Sequence, residues 1–364
     1  MRTRLPTLFA RSWGFDARET HAARWQNEVR AGELLDLSLS TERSARYSTA
    51  AQVWSAVRGL GFHVQMAFAA AVFIVVSLVG CSVWSITIPS PGSIVIAVIV
   101  TIAAVQAIPA IWQSKGKVKL RDASLTIPWA FLLWAILPFP VDIAARVGQH
   151  IPLQDSRFVR LDMALGVHIP AMMRWASDHS VGRLIDSTYP LLAPFMAIAF
   201  LFPSLTGRVR PAQQFLMGNV IAFLVGLPLF ALFPAVGPWS GYHLAVSPLQ
   251  MQCQSDLLEL RIAAPYVHHA NGVICFPSFH VMWAILCARA LWSFRLLRVP
   301  ACLLSAMIVL STMTTGWHYF SDVVGGVLLA VIAMVGSEWL YRLGKQRKTA
   351  SRENECTAAV AALD

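Results

Sequence analysis

Charge is what this sequence has least of: 13% of its 364 residues are Asp, Glu, Lys or Arg, about half the share of an average soluble domain. That scarcity excludes an ordinary soluble globule. A hydrophobic content of 56% and a mean hydropathy of +0.58 describe instead a chain that crosses a membrane many times. Acidic residues are the scarcer sign, 19 against 29 basic, which leaves a net charge of +10. The excess does not call for a nucleic-acid partner, because most arginines and lysines gather in short clusters between apolar runs, where they orient membrane helices.

Further absences narrow the reading. The start, MRTRLPTLFARSWGFDARET, holds no apolar core of signal-peptide length, so residues 1–65 are expected to remain as a cytoplasmic region, with STAAQVWSAVRGLGF as an interfacial amphipathic helix. Internal repeats and low-complexity linkers are missing. Cysteine is sparse: Cys81, Cys287 and Cys302 fall in apolar runs and Cys356 in the polar tail, the setting of inert thiols. Cys253 and Cys275 share one extramembrane loop, and whether they pair depends on the compartment it faces.

What is present is a series of apolar runs near the 20 residues a span needs: 66–88, 92–112, 124–145, 187–205, 213–236, 279–297, 300–316 and 318–341. The third carries Pro138 and Pro140, which predict a kink or a shortening. Basic residues alternate between the connections. IPSPG carries no charge, the next loop has Lys115, Lys117, Lys119 and Arg121, and in the third connection arginines are offset by Asp155, Asp162, Asp178 and Asp186. Arg208 and Arg210, then Arg295 and Arg298, then KQRK mark one side, while loop 237–278 is nearly free of basic residues. The expected protein is all-α and polytopic, in a plasma (inner) membrane, with both termini cytoplasmic and loops 146–186 and 237–278 outside. The stretch RLDMALGVHIPAMMRWA has the periodicity of a helix lying along the interface.

Two histidines open spans on that outer side. His280 stands in CFPSFHVMW and His318 in GWHYFSDVVGG, 38 positions later. That interval is one helix down, a basic turn and one helix back. Asp322 follows His318 by four residues, so a helix beginning near Trp317 stacks the two on one face. A carboxylate there holds one imidazole nitrogen and leaves the other as a nucleophile or base. Pro277 and Ser278 suit a helix start, and the amides of such a start bind phosphate. Each motif alone is more often structural, but ionisable groups at membrane spans are rare and usually functional.

At these residues the chain resembles the type 2 phosphatidic acid phosphatase superfamily, from about residue 120 to 342. Pro277, Ser278 and His280 match its second motif, with Phe279 where glycine is usual; Ser311, His318 and Asp322 match the third, with Thr312 for arginine. The first motif, a lysine followed by Arg-Pro, is not apparent in ALFPAVGPW. These departures are similar to the inositolphosphotransferase branch, which includes inositol phosphorylceramide synthases. The resemblance implies a six-helix core bundle within 120–342, preceded by two additional helices in 66–112 and followed by a polar cytoplasmic tail, 343–364.

It also implies a phosphoenzyme path with no metal and no cofactor. His318 attacks phosphorus, Asp322 holds its ring, and His280 protonates the departing oxygen. The substrate is a lipid phosphate or phospholipid in the bilayer, and the acceptor is water or a sugar alcohol such as inositol. With the family's arginines missing, Arg160 is the expected phosphate contact alongside Ser278, and Arg157, Arg261, His268 and His269 are the other outer-loop candidates. Two readings compete. One is a haem or metal protein ligated by His280, His318 and Asp322; the other is a transporter, although the trio lies at a rim and not at mid-membrane depth.

Overall fold

The computed structural model describes residues 61–113, 124–262, 264–269 and 272–361, with side chains described up to residue 344 apart from 109–113. The expected amphipathic helix near the N-terminus, the Lys115–Arg121 cluster and the side chain of Cys356 lie outside the described residues. The described residues all belong to the compact unit beginning at Gly59.

The structure is helical almost throughout. Helix α1, Phe62–Val83, is followed by a two-residue strand β1, Ile86–Thr87, and by α2, Pro91–Gln113. The third apolar run splits into α3, Thr126–Ile136, and α4, Pro138–Val147. Pro138 lacks the N–H that would continue the ladder, but Leu137 keeps helical dihedrals, so 126–150 remains one crossing with a local break. The connection that follows carries three short helices, α5 Asp155–Ala164, α6 Ile169–Asp178 and α7 Ser180–Asp186. A 3-10 turn, Tyr189–Leu191, leads into α8, Leu192–Leu205, and then α9, Val209–Leu232. The long connection before the last three helices holds α10, Pro238–Gly241, α11, Pro248–Arg261, and strand β2, Tyr266–Val267. Three helices complete the bundle: α12 Phe279–Leu291, α13 Arg298–Thr314 and α14 Phe320–Ala361.

Each apolar run of the sequence therefore coincides with helix. Among the described residues, six segments are long and apolar enough to cross a membrane: 62–83, 91–108, 126–150, 180–205, 209–232 and 320–344. The helices 279–291 and 298–314 are apolar but shorter. The protein is an all-α polytopic membrane protein.

Helices α9, α12 and α14 pack on one another at the centre, with α8 and α13 against α12 and α4 against α9. Helix α2 lies at the edge: 11% of its most apolar window is buried against 67% for α9, so its side chains face outward where lipid is the solvent. The parallel pairing of Ile86 with Tyr266 and Thr87 with Val267 ties the connection between α1 and α2 to the long one before α12. Both loops consequently sit at the same end of the bundle, the end at which α12 and α14 begin.

Candidate active site

The segment between α13 and α14 is held residue by residue. Gly316 ends α13 with φ +74°, a conformation that favours glycine, and a Cβ there would meet the Met173 sulfur at 2.8 Å. The amides of Trp317 and His318 both return to the carbonyl of Thr312 at 3.0 Å. Helix α14 then starts at Phe320, three residues later than a start near Trp317 would put it, so His318 sits in the turn before the helix. The cause is Asp322: as the third helical residue it reaches back to accept from the Tyr319 amide at 2.9 Å, the carboxylate half of a capping box. Asp162 of α5 takes the next two amides, Phe320 at 2.7 Å and Ser321 at 2.9 Å.

Helix α12 is capped by Ser278, whose hydroxyl accepts from the Val281 amide at 3.3 Å. The Ser278 amide donates to the Asp322 carbonyl at 3.1 Å, a direct backbone link between the two helix starts. Gly326 makes that approach possible, since a Cβ on it would lie 2.5 Å from the Ser278 carbonyl oxygen.

This packing brings the histidines together. His318 Nε2 stands 3.5 Å from His280 Nδ1, with ring centroids 5.5 Å apart. Behind it, His318 Nδ1 faces Asp322 Oδ2 at 3.5 Å, an ion-pair distance without hydrogen-bond alignment. That same Oδ2 accepts from the Cys275 thiol at 3.0 Å as well as from the Tyr319 amide. Ahead of it, the Tyr189 hydroxyl lies 3.0 Å from His280 Nε2, and the phenol ring stacks on His280 and on Trp317. His318 is 3% exposed and Asp322 fully buried, whereas His280 is half-buried. The arrangement is a line of polar groups, Tyr189, His280, His318, Asp322 and Cys275, running from a partly open rim into the bundle.

The expected phosphate contacts fall elsewhere. Ser278 is fully buried and its hydroxyl oxygen serves its own helix. Arg160 lies on the exposed face of α5, with no hydrogen bond or ion pair among the described residues, and it does not pair with Asp162. Arg157 is exposed too. Arg261 donates to the carbonyls of Gly148 and Ile151, and burial pulls its guanidinium pKa down. His268 bonds Asp142 at 2.6 Å and His269 bonds Asp256 at 2.8 Å; the Asp256 contact holds His269 above the ordinary histidine value.

Among the described residues, no arginine or lysine bonds His280, His318 or Asp322. The donors nearest in sequence to His280 are the first amides of α12, those of Phe279 and His280, which the Ser278 cap leaves free among the described residues. A helix N-terminus of this kind attracts an anion.

Among the described residues, Cys275, His318 and Asp322 form a group spaced to hold a metal ion, with ligand atoms within 4.8 Å of one another. His280 is outside it. Cys253 and Cys275 are both buried free thiols.

Several contributors are invisible to a reading by motif. Tyr189 stands 91 positions from His280 in an unremarkable TYPLL stretch. Asp155 and Asp162 are seven residues apart, hence on one face of α5, and both are buried. Asp155 binds the amides of Val236 and Gly237 and accepts from the Tyr319 hydroxyl at 2.9 Å. Two acids at helical spacing in a loop that lies over a site are the signal that was available.

Residues 156–336 match the family model described as the PAP2 superfamily. No curated protein and no solved structure matches the chain. The matched segment contains α5, both histidines, Asp322 and the helices that position them.

Proposed function

We propose that this polytopic membrane protein is a phosphoryl-transfer enzyme of the PAP2 superfamily, with His318 as nucleophile, Asp322 as its orienting carboxylate and His280 as general acid. The observation that carries the reading is the 3.5 Å approach of His318 Nε2 to His280 Nδ1 with the Asp322 carboxylate on the far side of the His318 ring. A carboxylate at that distance favours the proton on Nδ1 and leaves Nε2 with its lone pair. In the first step that lone pair forms a bond to phosphorus, the bond from phosphorus to the leaving oxygen breaks, and His280 gives that oxygen a proton. In the second, a water or alcohol oxygen attacks phosphorus, its proton passes to His280, and the P–N bond to His318 breaks.

Phosphoryl transfer is governed by positioning and charge stabilisation, and acid catalysis contributes on the order of 10² to 10⁴-fold. With no described arginine bonded to the pair, the amides of Phe279 and His280 are the donors we assign to the equatorial phosphoryl oxygens. Ser278 serves the substrate by capping that helix start, and Arg160 is the first candidate for a more peripheral phosphate contact. The substrate is a lipid phosphate or phospholipid presented at the rim from the outer leaflet, and inositol is an alcohol to test against water as acceptor.

Purified protein assayed against a panel of lipid phosphates, with and without inositol, tests the reading. Turnover is expected to survive chelators, to vanish in His318→Ala, and to leave an acid-labile phosphoprotein in the wild type. Full activity in His318→Ala would overturn it. Loss of activity on chelation, with stoichiometric metal in the purified protein, would favour the Cys275, His318 and Asp322 group as a metal site instead.

A further inference from the structure

We infer that Tyr189 is a positioning residue for His280: its hydroxyl engages Nε2 and so aims the Nδ1–H of the acid form at His318 and at an oxygen leaving phosphorus beside it. The inference rests on the proposed roles of the two histidines and adds a residue that neither motif contains.

His318 Nδ1 has the Asp322 carboxylate 3.5 Å away, which places its proton there and leaves Nε2 as an acceptor. His280 Nδ1, 3.5 Å from that Nε2, is then the donor of the pair. As the general acid His280 is an imidazolium with a proton on each nitrogen, so its Nε2–H donates to the Tyr189 hydroxyl 3.0 Å away. Without that partner the Nε2–H is unsatisfied, and the ring is free to turn its Nδ1–H away from the nucleophile and from any oxygen leaving phosphorus beside it.

The fold holds Tyr189 for this role. Its ring stacks on His280 with centroids 4.9 Å apart and on Trp317 at 5.8 Å, nearly parallel to both. Its 3-10 turn is fastened by Asp186, which accepts from the Thr314 hydroxyl at the end of α13. The element that places His318 therefore also anchors the turn that places the hydroxyl over His280.

Tyr189→Phe keeps the stacked ring and removes the hydroxyl. With an alkyl phosphate, whose alkoxide leaves poorly without a proton, kcat should fall about tenfold, the size of one hydrogen bond, with KM nearly unchanged. With p-nitrophenyl phosphate, whose leaving group needs no proton, the variant should match the wild type. Equal loss on both substrates would mean a structural role, and no loss on either would mean no role; each overturns the inference while leaving the enzyme reading intact. A wild type that turns over neither substrate removes both.

Discussion

Asp162 on α5 accepts hydrogen bonds from the first two amides of α14, those of Phe320 and Ser321, while being fully buried itself. A loop helix thus caps the helix that carries Asp322, two residues after the candidate nucleophile. An N-terminal carboxylate is favoured by the helix dipole, and burial makes the loss of such an acceptor expensive.

Asp162→Ala should therefore destabilise the protein by about 1–3 kcal/mol, because two buried amides lose their acceptor. Activity should fall with it, since the turn holding His318 is no longer fixed. Asp162→Asn, which keeps one acceptor oxygen, should recover part of both. Thermal unfolding in detergent measures this, and an alanine variant as stable as the wild type would contradict it.

A second dependence concerns the contact between α14 and the start of α12. A Cβ on Gly326 would lie 2.5 Å from the Ser278 carbonyl oxygen and 2.9 Å from the Val281 Cβ, and the first of these is backbone with little room to give. Gly326→Ala should push the helices apart, cost about 1–3 kcal/mol and reduce activity disproportionately by separating His318 from His280. Gly92→Ala is the control: a Cβ there meets nothing within 4 Å, so stability should stay within about 0.5 kcal/mol. Equal behaviour of the two variants would rule out the close-packing argument.

The helices of this fold were legible from the sequence because lipid demands apolar runs of about 20 residues and tolerates basic residues only between them. The convergence of His280 and His318 followed from the same counting. What pattern did not reveal is contact across the bundle. Cys275 reads from sequence as half of a possible disulfide, yet its thiol bonds Asp322. Asp155 and Asp162 read as charges offsetting arginines, yet they fasten Tyr319 and the start of α14. The polar groups that matter most here were chosen by tertiary neighbours, and a lone Tyr or Asp in a loop carries no periodicity to announce them. Arg160 shows the converse: a basic residue in the right loop that the fold leaves on an exposed face.

The Cys275 thiol makes a prediction that separates donor from size. It is 3% exposed and donates to the oxygen of Asp322 that faces His318. Cys275→Ser preserves a donor and should keep activity within a few-fold of the wild type, whereas Cys275→Val removes it and should lower kcat about tenfold by leaving a buried carboxylate less satisfied. If serine and valine variants fall equally, the thiol is there for packing and not for the carboxylate.

The pair His269 and Asp256, away from both candidate catalytic histidines in sequence, predicts how stability depends on pH. Their hydrogen bond of 2.8 Å holds the His269 pKa above its ordinary value, with further help from Glu259 and Asp142. A histidine whose folded pKa is raised binds its proton more tightly when folded. Its contribution is therefore complete below the unfolded value near 6.5 and fades as pH rises through the folded one. His269→Gln should lower the unfolding midpoint most in acid and converge on the wild type in mildly alkaline buffer. The effect should be modest and weaker in high salt, because the His269 side chain is 46% exposed. A stability gap that widens with rising pH would show that the pair is not an ion pair at all.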